Sequence, residues 1–140
     1  PSGMFNFVID EIFIPSHSVA VDLYVVISFL KDSVAAERII NFPDIGNVNL
    51  KDLDFSDGAP DCIIWLDNGV EEISGRGYWF YLGFGGEEER LIFTVDAGGN
   101  YQECRYPRGT VKKMIDSLPN AEDLKIIKLS EMIMLTNLKE

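Results

Sequence analysis

Few residues of this 140-residue chain have the chemistry to act as catalysts or ligands. His17 is the sole histidine, set in Pro15-Ser16-His17-Ser18 with no nucleophile motif around it. A Ser/His or Cys/His mechanism needs base and nucleophile within hydrogen-bond reach, and the spacing points to none, so a surface turn is the expectation for His17. One histidine likewise disfavours a two-histidine acid–base mechanism. Cys62 and Cys104 with that single histidine do not compose a zinc site. They are expected to be buried thiols in strands, not a disulfide framework. Asp52-x-Asp54-x-Ser56 with Gly58 begins like a calcium loop, but its register fails. Counting from Asp52, Asp57 takes the turn-glycine position and Ile63 that of the bidentate glutamate. Gly83-Phe84-Gly85-Gly86 is followed by Glu87-Glu88-Glu89, which would repel phosphate, and by a strand instead of a helix. The expectation is no catalytic residue, no metal and no cofactor.

Carboxylates dominate what remains. The net charge is −11. Between Asp44 and Glu72 stand eight acids (Asp44, Asp52, Asp54, Asp57, Asp61, Asp67, Glu71 and Glu72) against one base, Lys51. Such a surface repels nucleic-acid phosphates and anionic membranes and attracts basic partners over a Debye length. The plain alternative is that acidity serves solubility. Glu71-Glu72 and Glu87–Glu89 are not a glycosidase pair, because adjacent residues of a strand point to opposite faces. Charges at strand edges that discourage sheet-to-sheet aggregation explain them better. Arg76, Arg90, Arg105 and Arg108 fall around the same strands, and they are expected to pair with neighbouring acids, Glu103 with Arg105 among them.

The elements that position these charges centre on residues 61–106, which hold both tryptophans and four of the five tyrosines. Asn68-Gly69 between Cys62–Leu66 and Val70–Ile73 predicts a two-residue hairpin. Gly75-Arg76-Gly77 predicts a reversal before Tyr78–Phe84, which is apolar on both faces and reads as a central, doubly covered strand. Arg90–Asp96 alternates, with Leu91, Phe93 and Val95 on one face and Ile92 and Thr94 on the other. After the turn Ala97–Asn100, Tyr101–Tyr106 returns with Cys104 and Tyr106 on one face and Tyr101, Glu103 and Arg105 on the opposite one. Upstream, the spacing predicts a strand over 5–9, a helix over 19–31 capped by Ser18, for which the many β-branched residues leave strand as the competing reading, and a short helix over 34–40 capped by Asp32 or Ser33. Residues 44–60 read as a loop, with extended residues around Val48–Leu50. Downstream, Thr110 is the expected N-cap of a helix over 111–118 with apolar positions Val111, Met114, Ile115 and Leu118. Residues 124–129 suit a strand, and 130–138 suit either a strand or a helix. The expected fold class is α+β: a single domain with a mostly antiparallel β-meander and helices packed on one face.

Pro1-Ser2-Gly3 ahead of Met4 reads as an expression remnant, leaving 4–140 as the domain. No secretory signal follows Met4, and the apolar run 19–30 is broken by Asp22 and too short to span a bilayer, so a cytoplasmic location is expected.

An acidic α+β domain of this kind, with strands Arg90–Asp96 and Tyr101–Tyr106 joined by Ala-Gly-Gly-Asn and followed by the helix Thr110–Leu118, resembles the immunity proteins of bacterial polymorphic and contact-dependent toxin systems. The resemblance implies a non-enzymatic protein that binds one cognate toxin domain and blocks it. Many such toxins are basic nucleases or deaminases, which charge complementarity would suit. The residues it points to are Asp52, Asp54, Asp57, Asp61, Asp67, Glu71 and Glu72, with Glu87, Glu88 and Glu89 at a hairpin tip. A second reading is a small-molecule or regulatory domain with its ligand against strand 78–84, near Trp79, Tyr81 and Arg105.

Overall fold

The computed structural model describes the backbone of residues 2–9, 12–119, 124–129 and 132–137, and the side chains of Ile9 and residues 22–119. In chain order the strands are β1 (Ser2–Ile9), β2 (Ile12–Asp22), β3 (Ile64–Trp65), β4 (Trp79–Gly85), β5 (Glu88–Thr94), β6 (Gln102–Pro107), β7 (Leu124–Leu129) and β8 (Met132–Asn137). The helices are α1 (Leu23–Ser33), α2 (Ala36–Ile39), α3 (Glu71–Ser74) and α4 (Thr110–Asp116), with a 3-10 turn at Leu50–Asp52. The central sheet is antiparallel in the order β3-β4-β5-β6, while β1-β2 and β7-β8 pair as hairpins. This is the expected α+β fold, with an antiparallel meander and helices on one face.

Period-two alternation divides the sheet's side chains between two cores. Phe80, Leu82 and Phe84 of β4 and Leu91 and Phe93 of β5 meet Val26, Ile27 and Leu30 of α1, Ile73 of α3, and Val111 and Ile115 of α4. Tyr81 and Ile92 face the other way, against Ile45 and Ile63, with Leu50, Leu53 and Phe55 packed beside them. Strand β4 is therefore central and covered on both sides, as its unbroken apolar sequence requires. The loop expected over 44–60 runs on to Ile63, because the strand expected over Cys62–Leu66 is only Ile64–Trp65, and it works as a second layer over the sheet face that carries no helix.

Several boundaries move, each for a local reason. Helix α1 begins at Leu23, and its N-cap is Asp22 instead of Ser18, with Asp22 Oδ1 accepting from Tyr24 N at 3.0 Å and Val25 N at 3.4 Å. Residues 19–21, with β-branched Val19 and Val21, go to β2, where branching at Cβ is favoured. The Pro15–Ser18 interruption survives as a bulge: Phe5 lies opposite Val19 and Phe7 opposite Ile14, so four residues face Asn6 alone. His17 therefore sits in a strand bulge and not in a turn between elements. Helix α2 is a single turn whose N-cap is Ala35, with no side-chain cap from Asp32 or Ser33. The extended residues expected near Val48–Leu50 give way to the 3-10 turn, capped by Asn49.

The Asn68-Gly69 signal marks a turn but not a hairpin. Val70 N donates to Asp67 O at 3.0 Å, and the chain enters helix α3 instead of a returning strand. Strand β3 pairs with β4, Ile64 opposite Leu82 and Trp65 opposite Tyr81. Val95, expected beside Leu91 and Phe93, lies past the end of β5 and is exposed. Thr110 is the first helical residue of α4, not its cap. Gly109 holds the cap position at φ +95°, a conformation other residues rarely adopt. Of the two readings for 130–138, residues 132–137 take the strand, pairing Leu129 with Met132 through Leu124 with Asn137. Cys62 and Cys104 are both half-buried. Cys62 lies in a turn on the loop-covered face, while Cys104 lies in β6 on the helix face, so the sheet separates them.

Candidate partner-binding surface

Segment 44–63 lies against the sheet as a series of anchored points. Ile45 N donates to Phe84 O at 2.7 Å, forming a bridge that extends the sheet. Ile45 and Ile63 seat over Gly83, where an added Cβ would lie 2.6 Å from Ile45 Cδ1 and 3.0 Å from Ile63 Cγ2. The loop reaches the sheet because this position has no side chain. Arg90, 1% exposed, donates from Nη1 to Val48 O at 2.6 Å and from Nε to Glu103 Oε2 at 2.6 Å. Arg105 donates to Asn47 Oδ1 at 2.7 Å. Further along, the Phe55 ring stacks on Tyr101 at 4.1 Å between centroids and also meets Tyr81 at 5.3 Å.

With Ile45, Leu50, Leu53, Phe55 and Ile63 packed inward, the loop turns its carboxylates outward. Asp52, Asp54, Asp57 and Asp61 are all exposed. Asp54 accepts from Ser56 N at 2.9 Å and Ser56 Oγ at 2.6 Å, and these bonds hold its carboxyl below the usual carboxylate range. Asp44 is held low chiefly by Arg108 Nη1 at 2.8 Å, then by Gly86 N at 2.8 Å. Arg108 also lies over the Phe84 ring, 4.7 Å from its centroid. Thus loop, hairpin tip and the approach to α4 are joined at one corner.

The remaining acids divide into three groups. Glu71 and Glu72 are exposed in the first turn of α3 and not on a strand edge; carboxylates there suit the helix N-terminus. Glu87 and Glu88 are exposed at the β4–β5 tip. That tip and Tyr101, where Phe55 docks, belong to opposite ends of β5. At about 3.3 Å per residue they stand roughly 20 Å apart, so the tip glutamates and the Asp52–Asp57 stretch do not form one cluster.

Glu89 and Asp67 are not surface residues. Glu89 is fully buried; it accepts from Gly109 N at 2.5 Å and Val111 N at 2.8 Å, capping α4 from across the sheet. Alternation held the signal, since Glu89 shares its face with Leu91 and Phe93, the face under the helices. Asp67 is 0% exposed; its Oδ1 accepts from Trp65 Nε1 at 2.7 Å and Phe80 N at 2.9 Å. Burial pushes this carboxyl up to about 7 against the pull of those bonds. Sequence reasoning also missed Arg90 as the buried clamp on the loop. Its alternation with Ile92 was the available sign. Glu103 does pair with arginine as expected, closely with Arg90 and at 3.9 Å with Arg105.

The aromatic face offered to a small ligand is occupied by the protein itself. Tyr81 is 2% exposed beneath Phe55 and Trp65, and burial raises its hydroxyl pKa well above the ordinary tyrosine value. Among the described residues no group of three His, Cys, Asp or Glu side chains is placed to hold a metal ion. No described helix is long and apolar enough to cross a membrane.

A protein-family model described as immunity protein 42 matches residues 1–121. That span includes the central sheet, the acidic loop and α4, and ends before β7 and β8. No curated protein and no solved structure matched the chain.

Proposed function

The chain belongs to the immunity protein 42 family, and on that premise we propose that it binds and neutralises a cognate protein toxin domain through the acidic loop 52–61. The observation that carries the reading is the loop's division of labour. Ile45, Leu53, Phe55 and Ile63 pack on the sheet, while Asp52, Asp54, Asp57 and Asp61 face solvent. A loop fixed on a rigid sheet presents charge without first having to be ordered, which lowers the entropic cost of binding. Its complement is a basic surface, such as the cleft of a nuclease or deaminase that handles anionic substrates, and occupying that cleft would block the toxin. Neither catalysis by the inhibitor nor a cofactor has a part in this scheme, and the reading places the encounter in the cytoplasm.

The test pairs growth rescue with kinetics. Co-expression with the toxin domain encoded beside its gene should restore growth. Asp52→Asn, Asp54→Asn and Asp57→Asn together should slow association about tenfold at low salt and flatten its salt dependence. Unchanged association and an unchanged salt slope would refute the acidic-loop contact. Rescue would then still report an immunity protein that binds elsewhere.

A further inference from the structure

Asp67 is a buried acid that the proposed binding surface does not use. It sits where β3 gives way to the turn into α3, and its Oδ1 ties Trp65 of β3 to Phe80 of β4. Its Oδ2 is buried with no hydrogen-bond partner. No cation pairs with it among the described residues. The titratable neighbour that responds to its charge is Tyr81, itself buried and neutral; Tyr101 and then Asp96 continue the sequence of interacting groups away from Asp67. Glu71 and Glu72 of α3 are exposed, so the nearest element adds only further negative charge. An ionised carboxylate with one oxygen unpaired in an apolar site is costly, whereas the neutral acid is far less so.

We infer that Asp67 is a proton-operated latch: the neutral acid holds the β3–β4 corner closed, and ionisation loosens that corner and the aromatic cluster beside it. Trp65 lies 5.9 Å from Tyr81 and Phe55 lies 5.3 Å from Tyr81 between ring centroids, so the latch adjoins the docking point of loop 44–63. The direction is set by linkage. Burial raises the carboxyl from 3.8 to about 7. Its contribution to stability is therefore complete below 3.8, shrinks as pH climbs through this window, and is gone above about 7. Asp44, Asp54 and Asp96 are shifted the opposite way, below 3.8, and so titrate outside the window.

Denaturant unfolding of the full chain at pH 5, 6, 7 and 8 tests the latch, with Asp67→Asn as comparison. Asparagine keeps the acceptor for Trp65 and Phe80 and cannot ionise. Relative to that variant, the wild-type unfolding constant should rise by up to about tenfold per pH unit between pH 5 and 7, then level off. Parallel profiles would overturn the inference. If Asp67→Asn fails to fold, the carboxyl carbon of Asp67 in the wild-type protein gives the same answer by NMR. A midpoint near neutrality supports the latch, and one near the ordinary aspartate value overturns it.

Discussion

Glu89 separates a surface role from a structural one within three consecutive glutamates. Its carboxylate accepts two backbone N–H groups, Gly109 at 2.5 Å and Val111 at 2.8 Å, at the start of α4. Helix α4 has only seven residues, too few to persist without docking. Glu89→Ala removes two charge-assisted hydrogen bonds and leaves the buried Val111 N–H without a partner. Hydrogen bonds to a charged group contribute about 1.5–3 kcal/mol each. Because the two share one carboxylate and do not add fully, the expected loss is about 3–5 kcal/mol. A chain of this length has roughly 7–20 kcal/mol of stability in all, so the variant should fold but unfold at clearly lower denaturant. Glu89→Gln, which retains one acceptor and turns its amide NH2 toward the other N–H, should lose less. Glu87→Gln and Glu88→Gln, at the exposed tip, should stay within about 0.5 kcal/mol of wild type. Equilibrium unfolding in guanidinium gives the differences, and amide exchange should place the loosening in α4. A Glu89→Ala midpoint indistinguishable from those of the two tip variants would refute the capping role.

The loop and the exposed acids supply two more tests. Gly83→Ala puts a methyl group against Ile45 and Ile63; the expected cost is about 1–3 kcal/mol, with faster amide exchange in 44–63 than in β4 and β5, and unchanged exchange in that loop would contradict its seating on Gly83. The Asp96 carboxyl is held below the usual range by hydrogen bonds from Asn100 and then Thr94, so it stabilises the fold above 3.8 and loses that effect as pH falls through its lower folded value. Asp96→Asn should therefore flatten the wild-type decline in stability below pH 4, and an unaltered acid limb in denaturant melts would count against it.

Much of the fold was legible because its signals are local. Alternation in 90–95 and 101–106 assigns faces to Leu91, Phe93, Ile92 and Cys104 without knowledge of their neighbours, since the strand period is two. The doubly apolar run 78–84 identifies a covered central strand for the same reason. Asn68-Gly69 specifies a reversal, but a turn does not determine the next element, and here the exit is a helix. Residues 19–21 were claimed by both helix spacing and β-branching, and pairing with β1 settled them in a strand.

Net charge and its concentration between Asp44 and Glu72 are properties of the chain itself, and they select the sign of a partner before any fold is known. Which carboxylates can meet that partner depends on contacts between residues far apart in sequence. Asp67 and Glu89 can be buried because Phe80, Gly109 and Val111 bring backbone N–H donors to them. Asp52, Asp54, Asp57 and Asp61 are exposed because Ile45, Phe55 and Ile63 take the inward positions on the far face of the sheet. An acid's type is written in the chain, but its solvation is decided by what packs around it, and that is a tertiary property.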